Sequence, residues 1–463
     1  MRREAPFALG LILGALVLAG MGMVGSRAAL LPQSDLAGIW AGPRAILTGA
    51  DPYDPLTWRS TTERLGIQRP DTRVYGYPPH LALALLPLGS LDLEAAAVFW
   101  TLSGLVLAAA GVRQLLRAFD IGPFGELLTG TALLASQPAL TAFMVSQWSF
   151  HLTGALALAV AWLRRHPRAA VSIATAATLV KPQLWLFALP RIARRRRAFG
   201  AAVLVIVAVI GLVAVLRPGW VAAWLAYVVP ARVPDPPMSP TLLGLAGEFA
   251  PHAAMPVAIA MTAIATWLVV ASGAGLPGWL TLSVLAAPYA WSYDHLLLLV
   301  PVVVAAAAAL PPWRTRVVAV GVAVLVGIAP FTYALAITRG RESASVAIPL
   351  AIFALVLASA AFIRGRVGAA ALAFTIAAVA CTGAPPVTPS ASMTEVAARS
   401  SAPTAPVTTP PAAPTPTAGS ATPGAATPTP DPSPTARPTT TPATVAAPAS
   451  PPPPTPSPPL DAG

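Results

Sequence analysis

The chain has 463 residues, 56% of them hydrophobic and only 10% charged, with a mean hydropathy of +0.69. Repeated long apolar runs at that composition exclude an ordinary soluble domain and indicate an all-α polytopic membrane protein. The net charge of +12 comes from arginines clustered between apolar runs, a pattern of cytoplasmic loops under the positive-inside rule, so no nucleic-acid partner is expected.

In chain order, "MRREAPFALGLILGALVLAGMGMVGSRAA" resembles a signal peptide. The many spans behind it favour an uncleaved first helix over about 6–25, with Arg2 and Arg3 in the cytoplasm. A long first extracytoplasmic loop, 26–79, follows; it carries six arginines and a group of acidic residues. Short amphipathic helices are expected in it at 36–48 and 58–67. Pro78 and Pro79 start a half-helix at 80–91. Spans are expected at about 93–112, 123–138 and 148–163, and 169–190 is broken by "KPQ" into a short hairpin or re-entrant pair. After 198–216 comes a loop at 217–252 rich in Pro, Trp and Arg, then spans at 253–273, 277–290, 294–311, 317–335, 345–363 and 367–381. These add up to about 11 to 13 crossings. An odd number leaves the N-terminus cytoplasmic and the C-terminus extracytoplasmic. The membrane domain is thus 1–383.

Residues 384–463 are almost wholly Pro, Thr, Ala and Ser. Such a segment buries too little apolar surface to offset its ordering entropy and is expected to be a disordered tail. The single cysteine, Cys381, forbids an intrachain disulfide. "AVAC" resembles a lipoprotein box but is internal, and reads as the end of the last helix.

An ionisable group inside or against a membrane costs several kcal/mol unless paired or wet, so polar residues beside apolar runs are informative. Asp35 lies at the expected outer boundary after the first helix. It is either a reactive carboxylate or an N-cap for 36–48. Asp51 and Asp54, in "ADPYDP", read first as a rigid turn. Lys181, in "TLVKPQLW", is the only lysine among 29 basic residues. It is either a solvated turn or a cation facing an internal cavity, where an ammonium suits a phosphate. Gln147 and His151 in "MVSQWSFHL", and Ser292, Asp294 and His295 in "YAWSYDHLLLL", fall at the same expected membrane face. Trp40, Tyr53, Trp58, Tyr75 and Tyr77 suit an interfacial aromatic belt or sugar stacking. No Walker loop, nicotinamide fingerprint or metal-ligand spacing is visible, so no cofactor and no metal are expected.

The ordered set "DLAGIWAGPRAILTGADPYDP", "YGYPPHLALALLPLGSL", "SQWSFHLTGALALA", "TLVKPQLWLFALP" and "PYAWSYDHLLLLVP" resembles glycosyltransferase family 87, over roughly residues 6–340. The resemblance implies a GT-C-like bundle and a membrane enzyme that takes a hexose, typically mannose, from a polyprenyl-phosphate donor to a lipid or glycan acceptor. It implies that Asp35 is the catalytic base, and that Lys181, Gln183, Gln147 and His295 line the donor cavity. It implies that Asp51, Tyr53, Asp54 and Tyr77 shape the loop and acceptor region. Arg44 and Arg73 are substitute cations. A polyprenyl-phosphate is already a good leaving group, so one base suffices for an inverting displacement.

Two other classes compete. A transporter or flippase of a lipid-linked sugar is expected to show two repeated halves with matching broken helices, and only one break, at "KPQ", is visible. A non-catalytic scaffold presenting the tail would tolerate loss of Asp35, Lys181 and His295.

Overall fold

A computed structural model describes residues 5–67, 73–185, 188–192, 196–231 and 239–363. The expected last span at 367–381, Cys381 and the tail at 384–463 lie outside the described residues.

Among the described residues the chain is helical and no strand forms. Helix α1 (Ala5–Gly20) and α2 (Met23–Leu30) make one bent pair, broken at Gly22, whose φ of 66° is left-handed. A glycine adopts that conformation without the Cβ penalty other residues meet. Helix α3 (Asp35–Leu47) and α4 (Pro55–Arg64) are the two helices expected in the first loop. Each has a polar cap: Ala37 N donates to Ser34 Oγ at 3.3 Å, and Thr57 N donates to Asp54 Oδ2 at 2.8 Å. Ser34 therefore caps α3 where Asp35 was the alternative, and Asp35 sits in the first turn of the helix.

The expected half-helix is two short pieces, α5 (Pro79–Ala84) and α6 (Leu86–Gly89), beginning at a Pro that supplies helical φ. The long α7 (Leu93–Phe119) follows, then α8 (Pro123–Ala135), α9 (Gln137–Val145), α10 (Ser149–Trp162) and α11 (Pro167–Val180). The break at "KPQ" is real: α11 ends at Lys181, a 3-10 turn covers Pro182–Trp185, and α12 (Ala188–Ile192) is short. Next come α13 (Arg196–Leu216) and α14 (Pro218–Ala231), then α15 (Leu242–Phe249), α16 (Ala254–Ser272) and α17 (Gly275–Leu285). A 3-10 stretch at Ser292–Leu298 leads into α18 (Leu299–Ala308). Helices α19 (Pro311–Ala323) and α20 (Ala329–Arg339) are joined through a π turn into one span, and α21 (Ala347–Ile363) closes the described chain.

Six of these segments are long and apolar enough to cross a bilayer, or seven with the bent α1–α2 pair. The sequence expectation of 11 to 13 is higher. Three of its spans, at Ser149–Trp162, Gly275–Leu285 and Ser292–Ala308, and the expected hairpin, at Pro167–Val180, fall on apolar helices of only 10–17 residues, short of the roughly 20 residues a full crossing needs. The region expected as a loop at 217–252 instead contains α14 and α15.

Small residues set the tightest helix contacts, as expected where lipid tails compete equally for apolar faces. Gly111 of α7 lies directly against the Gly154 backbone of α10, and a Cβ on either glycine would overlap the other helix.

The aromatic residues of the first loop are not a lipid-facing belt. Tyr75 is fully buried and Trp40, Tyr53 and Trp58 nearly so. Tyr75 meets Tyr53, Trp58 and Tyr77 at ring-centroid distances of 5.9, 5.7 and 5.6 Å. Their rings form the loop's own core, which is how a loop of this length packs against the bundle.

Candidate active site

A cavity of about 290 Å³ opens between the first loop, the α9–α10 junction, the break after α11, and α14. The lining side chains with polar groups are Tyr77, Gln147, Lys181, Gln183, Trp224, Tyr289, Trp291 and Tyr293. Each stands where a helix stops or the chain turns, except Trp224 on α14. Helix ends are where side chains can enter a cavity without breaking backbone hydrogen bonds.

Gln147 connects the cavity to Asp35. Its Nε2 donates to Asp35 Oδ2 at 2.6 Å, while its Oε1 accepts from Trp148 N at 3.0 Å. The second bond fixes which end of the amide faces the carboxylate. Asp35 is half-buried.

Lys181, also in the lining, is tied to an acidic partner. Its Nζ donates to Asp294 Oδ1 at 2.7 Å, and it lies 4.8 Å from the centre of the Tyr293 ring. Asp294 also accepts from Ser149 Oγ at 3.4 Å and from Trp291 N at 3.2 Å. Glu342 accepts from Ser292 N at 2.8 Å and lies within Coulombic range of both Asp294 and Asp35. Asp294 is thus the carboxylate paired with Lys181, and Glu342 and Asp35 lie in its electrostatic neighbourhood.

Two cavity-lining donors are unsatisfied. Gln183 Nε2 and Trp224 Nε1 are buried and make no hydrogen bond among the described residues. A buried donor left unpaired costs about 1–3 kcal/mol, so both are poised for an acceptor-rich ligand.

Not every residue singled out in the sequence meets this cavity. His295 is fully buried in the 3-10 turn and does not line it; its neighbour Asp294 reaches Lys181 instead. His151 packs 4.3 Å from the Trp100 ring centre, with its Nε2 3.1 Å from Ser103 Oγ, behind the cavity. Asp51 closes a turn, accepting from Tyr53 N at 2.8 Å, and Asp54 caps α4. Both are turn architecture. The Asp54 carboxyl is held below its ordinary pKa by hydrogen bonds from Thr57. The Tyr53 hydroxyl donates to Tyr77 O at 2.6 Å, which pins a cavity-lining residue to the loop core. Burial holds the Tyr53 and Tyr75 hydroxyls well above the ordinary tyrosine pKa, so both remain donors. Arg44 donates to Gly89 O at 3.2 Å, and Arg73 is exposed.

Sequence reasoning missed Glu342, Trp224 and the group around Arg27. Glu342 had a usable signal, a lone carboxylate at the start of an apolar span. Among the described residues, no group of three or more His, Cys, Asp or Glu side chains could hold a metal ion.

The helices, the short broken segments and a cavity lined in part by polar side chains define a multi-pass membrane protein with a cavity at its helix ends. Residues 75–292 match the model of glycosyltransferase family 87, in keeping with the resemblance carried by the ordered motifs, and this supports a membrane glycosyltransferase. The match includes Tyr77, Gln147, Lys181 and Gln183 and begins after Asp35. No curated protein and no solved structure matches the chain.

Proposed function

We propose that the protein transfers a hexose, mannose in the first instance, from a polyprenyl-phosphate donor to a lipid or glycan acceptor on the extracytoplasmic face, with Asp35 as base. The observation that carries this reading is the 2.6 Å bond from Gln147, a cavity-lining residue, to the Asp35 carboxylate.

The acceptor hydroxyl attacks the anomeric carbon opposite the phosphate. Its proton passes to Asp35, the carbon–oxygen bond to phosphate breaks, and polyprenyl phosphate departs with the electron pair. One displacement inverts the anomeric centre. Lys181, Gln183 and Trp224 meet the phosphate as charge gathers on it. Lys181 is shared with Asp294, so the two neutral donors carry much of that contact. His295 supports the wall from behind. In the bilayer, the N-terminus is cytoplasmic and the tail extracytoplasmic, which puts the cavity at the outer surface.

The test is transfer from a panel of polyprenyl-phosphate hexoses by membranes containing the protein, with the anomeric configuration of product determined. Inverted product from one donor supports the reading. Retained configuration, or transfer from nucleotide sugars alone, rejects it.

A further inference from the structure

Ser146 is one of two non-glycine residues with left-handed backbone among the described residues, at φ 55° and ψ 46°. It ends α9, a position where glycine or asparagine is the usual solution because other side chains are strained there. A serine that accepts this strain needs something to hold it. Its hydroxyl accepts from Arg27 Nε at 3.1 Å and from Arg27 Nη2 at 2.9 Å. Its carbonyl accepts from Trp100 Nε1 at 3.0 Å. Only 3% of the residue is exposed.

Arg27 is itself fixed. Its Nη2 also donates to Ala97 O at 3.2 Å and to Thr101 Oγ1, and its guanidinium lies 4.8 Å from the centre of the Phe143 ring. Among the described residues its hydrogen bonds go to the neutral oxygens of Ser146, Ala97 and Thr101. Arg27 therefore joins α2, α7 and the end of α9 at a residue whose conformation is strained.

The next residue is Gln147. The direction in which the chain leaves Ser146 sets where the Gln147 amide points, and it points at Asp35. Asp35 in turn begins α3 only eight residues after Arg27. The four residues form a closed circuit: Arg27 holds Ser146, Ser146 aims Gln147, Gln147 holds Asp35, and the chain from 27 to 35 returns to the start.

The geometry points to Arg27 as a positioning residue for the base, acting through the strained Ser146 turn on Gln147. This rests on the reading of Asp35 as base given above. It does not place Arg27 on substrate, since Arg27 does not line the cavity.

The test combines R27M, S146A, S146G and Q147A with the R27M/Q147A double variant, all in the full-length chain. Misplacing a reacting group through a remote change costs about ten- to a hundredfold in rate. R27M is expected to lower kcat by that amount with donor KM within about twofold, and to move the acid limb of the kcat–pH profile. The double variant should lose no more than Q147A alone, because both act along one path. S146G, which relieves the backbone strain but removes the hydroxyl, should lose kcat while keeping wild-type thermal stability. Losses in R27M and Q147A that multiply, or an unmoved pH limb, overturn the inference.

Hydrogen exchange at 146–149 and 33–38 in solubilised protein reads the circuit without turnover. Faster exchange at both segments in R27M is expected, and unchanged exchange overturns the inference. If D35N transfers sugar as wild type does while R27M loosens both segments, the base assignment has failed and the circuit stands as structure alone.

Discussion

Lys181 Nζ and Asp294 Oδ1 are 2.7 Å apart, with 9% and 1% of their side chains exposed. The only lysine of the chain is thus a buried ion pair across the cavity wall. Breaking a buried pair by removing one partner costs about 3–5 kcal/mol, whereas replacing both with apolar groups is often neutral. K181M should therefore lower thermal stability in detergent more than K181M/D294L does. A double variant that is less stable than K181M would show that Asp294 is compensated by other groups.

The Tyr53 hydroxyl gives a milder effect. Y53F removes its bond to Tyr77 O, a net loss of about 0.5–1.5 kcal/mol. Because Tyr77 lines the cavity, donor KM should rise as the loop loosens. Thermal melts and donor titrations check both. Equal melts for wild type and Y53F would mean that the Tyr77 carbonyl finds a replacement donor.

Burial raises the pKa of Tyr53 and Tyr75 above the unfolded value. The folded state then keeps protons that the unfolded chain gives up near pH 10. Their contribution to stability is complete below that pH and is lost as pH rises through the folded pKa. Melting temperature should fall with pH above about 10 in wild type, and less steeply in Y53F. Parallel slopes would remove Tyr53 from this account.

Asp54 has the opposite sign. Its folded pKa is depressed by Thr57, so its cap contribution is present above the ordinary carboxylate pKa and is lost as pH falls through the lower folded value. D54N, which can still cap, should protect the 55–64 helix from proteolysis at neutral pH as wild type does. D54A should not. Identical cleavage in all three would argue that Pro55 and loop packing alone hold the helix.

Gly111 tests the bundle itself. G111V drives a branched side chain into the Gly154 backbone, and overpacking at a close-packed contact costs about 1–3 kcal/mol or more. Recovery of monodisperse protein should drop sharply. Unchanged recovery would mean that α7 and α10 can separate at little cost.

Much of this architecture is legible from residue order. "SD" before an amphipathic run marks the start of α3, Pro78 and Pro79 mark the half-helix, and "KPQ" marks a break, because each rests on local backbone chemistry. The choice between neighbours was not legible. "SYDH" offers Asp294 and His295, and a 3-10 turn rotates successive side chains by about 120°, so one reaches Lys181 while the other faces the core. That outcome depends on a partner 113 residues away. Arg27 looked like one loop arginine among six, and Ser146 carries no mark of its left-handed backbone. The number of crossings is not legible from apolar runs either, since hydropathy alone does not tell a short buried helix from a span.

The central claim is that Asp35 takes the acceptor proton. Labelled hexose transfer from polyprenyl phosphate should be measured in membranes carrying wild type or D35N at matched expression. The Asn side chain can still bond Gln147 but is no base, so transfer should fall by about 10²–10⁴-fold with donor binding intact. Transfer by D35N at the wild-type rate would contradict the account.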